Sequence, residues 1–151
     1  MNSHAPEYLD TMRKLLGLIR QTEKFSYWDK DAILDWMAYF WNKGTISYRI
    51  EDGVGKGVCT VKFFSRLEQF LEPFVHEPLG NFVMIEMLVS DSQATSALLF
   101  DELCDRWGGW RPVVIWDRGN RTEKGSPRMF RWKEFQKIAR RMTNYARNSV
   151  N

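Results

Sequence analysis

Residues 82–107 read FVMIEMLVSDSQATSALLFDELCDRW, and the order of patterns within them decides the fold. Phe82 to Val89 is an apolar run of strand length, broken only by Glu86. Ser90-Asp91-Ser92 forms a small polar turn. A helical pattern follows, with Leu99, Leu103 and Trp107 at i, i+4 and i+8, and it stops at Gly108-Gly109. RPVVIW (111–116) is then apolar on both faces, as a buried strand in parallel pairing is. Strand, helix and strand in this order predict a parallel, right-handed crossover from 82–89 through 92–107 to 111–116.

Working outward, the N-terminal side predicts two helices. The first spans 6–21: Pro6 suits a first-turn position, and Tyr8, Leu9, Met12, Leu15, Leu16 and Ile19 recur at helical spacing. The second spans 30–43, with Asp29 as its cap, Gly44 as its stop, and Ile33, Trp36, Met37, Phe40 and Trp41 as its apolar stripe. TISYRIE (45–51) and GVCTVKFF (57–64) read as strands joined across Asp52-Gly53, an Asp-Gly hairpin signal. Residues 65–80 are irregular apart from a helical turn at 66–71, with Phe70, Leu71 and Phe74 filling gaps. A turn-rich segment occupies 117–127, and a basic helix runs from 131 to about 148 with Trp132, Phe135, Ile138, Ala139 and Met142 facing inward. The expected fold class is α/β (α+β): a mixed, mostly antiparallel sheet flanked by helices, forming one domain over residues 1–151.

The bulk composition agrees. An apolar fraction of 44% with 7 Trp and 10 Phe is that of a chain with a core rather than a disordered one. No run approaches the length of a membrane span and no secretory signal precedes Tyr8, so a cytoplasmic location is expected. Cys59 and Cys104 lack metal-ligand spacing and read as reduced, buried thiols, with a disulfide between them the disfavoured alternative; no metal site is expected. The net charge of +3 conceals an asymmetry. Residues 111–147 hold 11 cations against 3 anions, a balance of +8, and the remainder holds 11 against 16, a balance of −5. A basic third on an acidic body suggests an anionic partner: an acidic protein, a nucleic acid, a cofactor's phosphates or a lipid surface.

The layout resembles the acetyltransferase superfamily called GNAT, without its first strand. In that family the helix after the crossover strand opens with an Arg/Gln-x-x-Gly-x-Gly/Ala turn whose N–H groups hold the pyrophosphate of coenzyme A. Here Ser92, Gln93, Ala94, Thr95 and Ser96 occupy the corresponding turn. The glycine positions fall on Gln93 and Thr95, and Asp91 puts a negative charge where phosphates would sit. Acetyl-CoA is therefore expected to bind weakly or not at all. The nearest branch of the fold is the toxin-activating lysine acyltransferases, which lack the glycine turn and take a fatty acyl group from acyl carrier protein. FVMIEMLV, the helix to Trp107, and VVIWDRG with Lys124-Gly125 are similar to that branch in order and spacing; its N-terminal Ser-x-x-His-Arg motif has no counterpart here. The resemblance implies an acyl-thioester donor, either acyl-CoA or an acyl carrier protein, and an amine acceptor.

Glu86 is the residue on which chemistry turns. On a strand of period two it shares a face with Phe82, Met84 and Leu88, and a carboxylate among these suits a general base for an amine. The same residue also reads as a structural carboxylate paired with Lys62 or Arg49 on a neighbouring strand. His76, in the loop before the strand, is the second catalytic candidate, or a surface histidine. Tyr48 and Tyr145 could protonate a leaving thiolate. Arg118, Arg121, Lys124, Arg128, Arg131 and Lys133 form an anion-binding set in which Phe130 and Trp132 either stack on bases or anchor the core. Two functions follow: an acyltransferase of GNAT-like layout, or a non-catalytic binding module whose basic C-terminal third binds nucleic acid or an acidic protein.

Overall fold

The computed structural model describes residues 4–108, 113–116 and 128–149. The expected strand start at 111–112 and the turn-rich segment 117–127 lie outside the described residues.

Helix α1 is Pro6–Ile19, with Pro6 in its first turn and Tyr8, Met12, Leu15 and Ile19 buried in a row. Helix α2 is Lys30–Lys43. The Asp29 carboxylate accepts from the Ala32 N–H at 2.8 Å, and Gly44 closes the other end in the left-handed region. Asp31 in the first turn and Lys43 in the last complement the helix dipole. Asp29→Ala removes this cap, and thermal unfolding should report a loss of about 1 kcal/mol.

Strands β1 (Ile46–Glu51) and β2 (Val54–Phe64) pair antiparallel. Asp52 and Gly53 both have positive φ, 52° and 77°, which the tight hairpin turn requires. β2 begins three residues before the expected 57, because the turn is so short that pairing starts at once. One bulge in this pair has a large effect. Arg49 faces Gly57 and Ile50 faces Gly55, which leaves Lys56 as the extra residue. Gly55 and Gly57 are thereby turned to opposite faces. A Cβ on Gly55 would lie 2.2 Å from the Lys14 carbonyl oxygen of α1. A Cβ on Gly57 would lie 2.7 Å from the Thr95 methyl and 3.0 Å from Leu99. Two glycines on either side of Lys56 thus let one helix approach each side of the sheet.

Strand β3 (Phe82–Ser90) pairs antiparallel with β2, and α3 (Gln93–Leu103) follows it, running into a wider helical turn at Cys104–Gly108. Strand β4 (Val113–Trp116) lies parallel to β3, with Phe82–Ile85 opposite Val113–Trp116, as the crossover predicted. The sequence reading missed the next element. Arg128–Arg131 is a fifth strand, β5, antiparallel to β4, and α4 (Trp132–Ser149) starts directly after it. The sheet order is β1-β2-β3-β4-β5. It is a mixed α/β arrangement flanked by helices, antiparallel from β1 to β3.

Each face carries its own core. On one, Tyr8, Met12, Leu15, Ile19, Ile33, Met37 and Phe40 of α1 and α2 pack on Ile46, Val58 and Met87. On the other, Leu99, Phe100 and Leu103 of α3 and Phe135 and Ala139 of α4 pack on Cys59, Val61, Val83 and Ile85. Phe130 and Trp132 belong to this second core, each under a tenth exposed. Cys59 and Cys104 are free thiols; Cys59 is buried, which pushes it up to about 12, whereas Cys104, expected to be buried too, is only partly so. Among the described residues no helix is long and apolar enough to cross a membrane.

Candidate functional site

A second bulge, in β3, sets the geometry around Glu86. Val61 faces Ile85 and Thr60 faces Met87, so Glu86 is the extra residue. A bulge resets the strand's alternation and re-aims the bulged side chain. Val83 and Ile85 point to the α3–α4 core, and Met84 to the other side. After the bulge Met87 and Val89 face α1–α2, and Leu88 faces α3. Glu86 therefore does not share a face with Leu88, as simple alternation predicts. It meets side chains from the α1–α2 face.

Two of those are cations. Lys62 of β2, only 2% exposed, has Nζ 3.3 Å from Glu86 Oε2, and it also donates to the Glu72 carbonyl at 2.8 Å. Oε2 is enclosed and accepts no directed hydrogen bond, so the Lys62 contact is one of charge. Lys24, from the segment joining α1 to α2, places Nζ 4.0 Å from Glu86 Oε1. Its ammonium sits over the Trp36 ring at 4.1 Å and near the Phe25 ring at 5.3 Å. Burial holds the Lys24 pKa below the usual lysine range; the Lys62 charge acts the same way and Glu86 opposes both.

An aromatic wall backs this cluster. Trp28 meets Trp36 edge-on at 5.6 Å, and Phe74 packs on Trp36 at 5.0 Å and on Tyr39 at 5.1 Å. Phe74 stays 56% exposed, so it lies over the helix rather than filling an interior gap. The side chains of Phe70 and Leu71 lie outside the described residues. Arg49, the other expected partner of Glu86, pairs instead with Glu102 of α3 at 3.7 Å. His76 has its ring 6.1 Å from Phe63, and burial first, then the Lys43 charge, keep it below the ordinary histidine range. Lys62 and Phe63 are adjacent in β2 and point to opposite faces, so His76 and Glu86 contact different sides of that strand.

The start of α3 is closed by its own side chains. Ser92 caps the helix by accepting from the Thr95 N–H at 3.2 Å. The Thr95 hydroxyl donates to Asp91 at 2.9 Å, and Lys56 lies 3.4 Å from the same carboxylate. The Thr95 hydrogen bond is the main reason the Asp91 carboxyl lies below its usual range. Gln93 is exposed, Ala94 and Ser96 are half-buried, and Thr95 is buried. The positive end of the helix already faces a carboxylate.

Of the expected anion-binding residues, Arg118, Arg121 and Lys124 lie outside the described residues. Arg128 lies in β5, and its side chain is not described. Arg131 and Lys133 are exposed, as are Arg140 and Arg141 further along α4. Phe130 and Trp132 are anchors of the core rather than a stacking platform. Among the described residues no group of three His, Cys, Asp or Glu side chains could hold a metal ion. Sequence reasoning missed Lys24 and Trp36 as neighbours of Glu86; no local signal links a connecting segment to a strand so distant in the chain. Comparison with protein-family models, curated proteins and solved structures finds no match to this chain.

Proposed function

We propose that this protein is an acyltransferase of GNAT-like layout that moves an acyl group from a thioester, carried on an acidic protein, to a primary amine. The observation that supports this most is the Glu86 carboxylate on the α1–α2 side of β3, with an amine, Lys24 Nζ, at 4.0 Å. In this reading Glu86 is the base that accepts the proton of the attacking amine. The self-capped start of α3 disfavours a free nucleotide phosphate. The exposed Arg131, Lys133, Arg140 and Arg141 favour a donor with a negative surface. His76 has no part in it.

The test is acyl transfer from a loaded acyl carrier protein to a lysine peptide, followed by mass spectrometry. Transfer should occur, and Glu86→Gln, assayed well below its melting temperature, should reduce it at least about 100-fold. Binding of the carrier should weaken steeply as salt is raised. Calorimetry with acetyl-CoA should show no micromolar binding, the range of about −8 kcal/mol.

One observation favours a second reading. The 3.3 Å contact between Glu86 and buried Lys62 is what a structural carboxylate makes. A non-catalytic module of the same fold would then bind an acidic protein through β5 and α4. It would show the salt-dependent binding and no transfer. A nucleic-acid partner is the weaker form of this reading, because Phe130 and Trp132 are inside the core.

A further inference from the structure

The cluster around Glu86 contains a feature that the proposed reaction does not require: one of the chain's own lysines stands where an acceptor amine would stand. Lys24 Nζ is 4.0 Å from Glu86 Oε1 and 4.1 Å from the Trp36 ring, with a side chain still 48% exposed. One carboxylate faces two ammonium groups here, since Lys62 lies 3.3 Å from its other oxygen. Lys62 is buried, and Lys24 is the one an incoming molecule can reach. Among the described residues, the other lysines with close acidic neighbours differ. Lys14 pairs with Asp10 along α1, Lys56 pairs with Asp91, and Lys62 is buried.

We infer that Lys24 is a self-acylation site: the neutral amine, with Glu86 as base, takes the acyl group of a thioester onto its own side chain. The inference rests on the reading of Glu86 as a base. Once the Lys24 ammonium has lost one proton to solvent, its Nζ attacks the thioester carbonyl, the N–C bond forms and the C–S bond breaks. The proton lost by nitrogen passes to the Glu86 carboxylate and from there to the departing thiolate, which leaves as the free thiol. No electrons are gained or lost overall, and the only co-reactant is the thioester. The product is an amide, which does not turn over. It removes the Lys24 charge, ends the contact with Glu86, and leaves the acyl group against Trp36 and Phe74, in the place of an external amine. Self-acylation therefore limits transfer to any other acceptor.

The test treats the full chain with S-acetyl-N-acetylcysteamine, a small thioester that needs no carrier docking, and maps acetyl-lysine by peptide mass spectrometry over time. Lys24 should be acetylated about 100-fold faster than exposed Lys30, the low end of what a positioned base contributes. Glu86→Gln should bring Lys24 to the Lys30 rate and leave Lys30 unchanged. If that variant fails to fold, Glu86→Asp, which shortens the reach to Nζ, should slow Lys24 selectively. Equal rates at Lys24 and Lys30 in the native chain would overturn the inference, and so would fast Lys24 labelling indifferent to Glu86. Transfer to an external lysine peptide, measured in parallel with Lys24→Arg, separates this result from the transferase reading. Fast, Glu86-dependent Lys24 labelling without external transfer removes the transferase and keeps the inference. External transfer with Lys24 at the Lys30 rate does the opposite.

Discussion

Glu86→Gln should lower the free energy of unfolding by about 3 kcal/mol, because it removes the negative charge beside a buried ammonium. Lys62 is 2% exposed, and after the change it keeps the Glu72 carbonyl but loses the carboxylate at 3.3 Å. Lys62→Met should cost a similar amount, since Glu86 Oε2 is enclosed and would then face no Lys62 charge. Changing both at once, Lys62→Met with Glu86→Leu, should restore most of the loss, because two apolar side chains of similar size carry no desolvated charge into the interior. Urea denaturation of the two single variants and the double variant measures this directly. Single losses below about 1 kcal/mol would mean that water already solvates the pair, as it does exposed ion pairs. The measurement also keeps fold and chemistry apart: transfer lost at a temperature where Glu86→Gln is still folded is a chemical effect.

Phe135→Ala is the other large effect, with an expected loss of about 4 kcal/mol. Phe135 is fully buried, packs edge-on against Phe100 at 5.2 Å, and lies stacked beside Trp132 at 6.0 Å. Truncation opens a cavity between α3 and α4 in a cluster that also holds Phe130, Trp132 and Leu103. Among the described side chains of α4, Trp132, Phe135 and Ala139 are buried and Ile138 and Met142 pack beside them, so Phe135 is a central part of its anchorage. The same helix displays Lys133, Arg140 and Arg141. Loosening it should therefore also flatten the salt dependence of binding to an acidic partner. Thermal unfolding and a salt titration on the same variant check both. A loss under 2 kcal/mol would show that the two helices close over the gap.

The parts of the fold that were legible in the sequence are those with local signals. Asp29 and Gly44 bound α2, Pro6 opens α1, and Asp52-Gly53 makes the hairpin, each through an interaction within a few residues of itself. The parallel pairing of β3 and β4 was legible too, because a strand, a helix and a strand leave few other connections. β5 was not. Arg128–Arg131 has only two apolar residues, and what makes it a strand is its pairing with β4, which no local pattern carries. The bulge at Glu86 was hidden for a similar reason: it is a mismatch in length between β2 and β3, and it flips the face of every residue after it. At the candidate site, Lys62 was readable as a cross-strand neighbour of Glu86. Lys24 was not, because its approach depends on where the α1–α2 connection comes to rest.

Arg106 bears on how this sheet meets other molecules. From the wide turn after α3 its guanidinium donates to the carbonyls of Gly44 at 3.1 Å and Ile46 at 2.8 Å. The same side chain lies 4.4 Å from the Trp107 ring and 3.3 Å from Glu102, so it is anchored on both sides. β1 is the outermost strand on that side, and an outermost strand offers unpaired backbone groups to any extended segment that drifts past. Here the offer is withdrawn at its first position. A foreign strand seeking to zip onto β1 must first expel a charged group that is tied to four partners, which makes this border of the sheet a poor seed for stacking one molecule on the next.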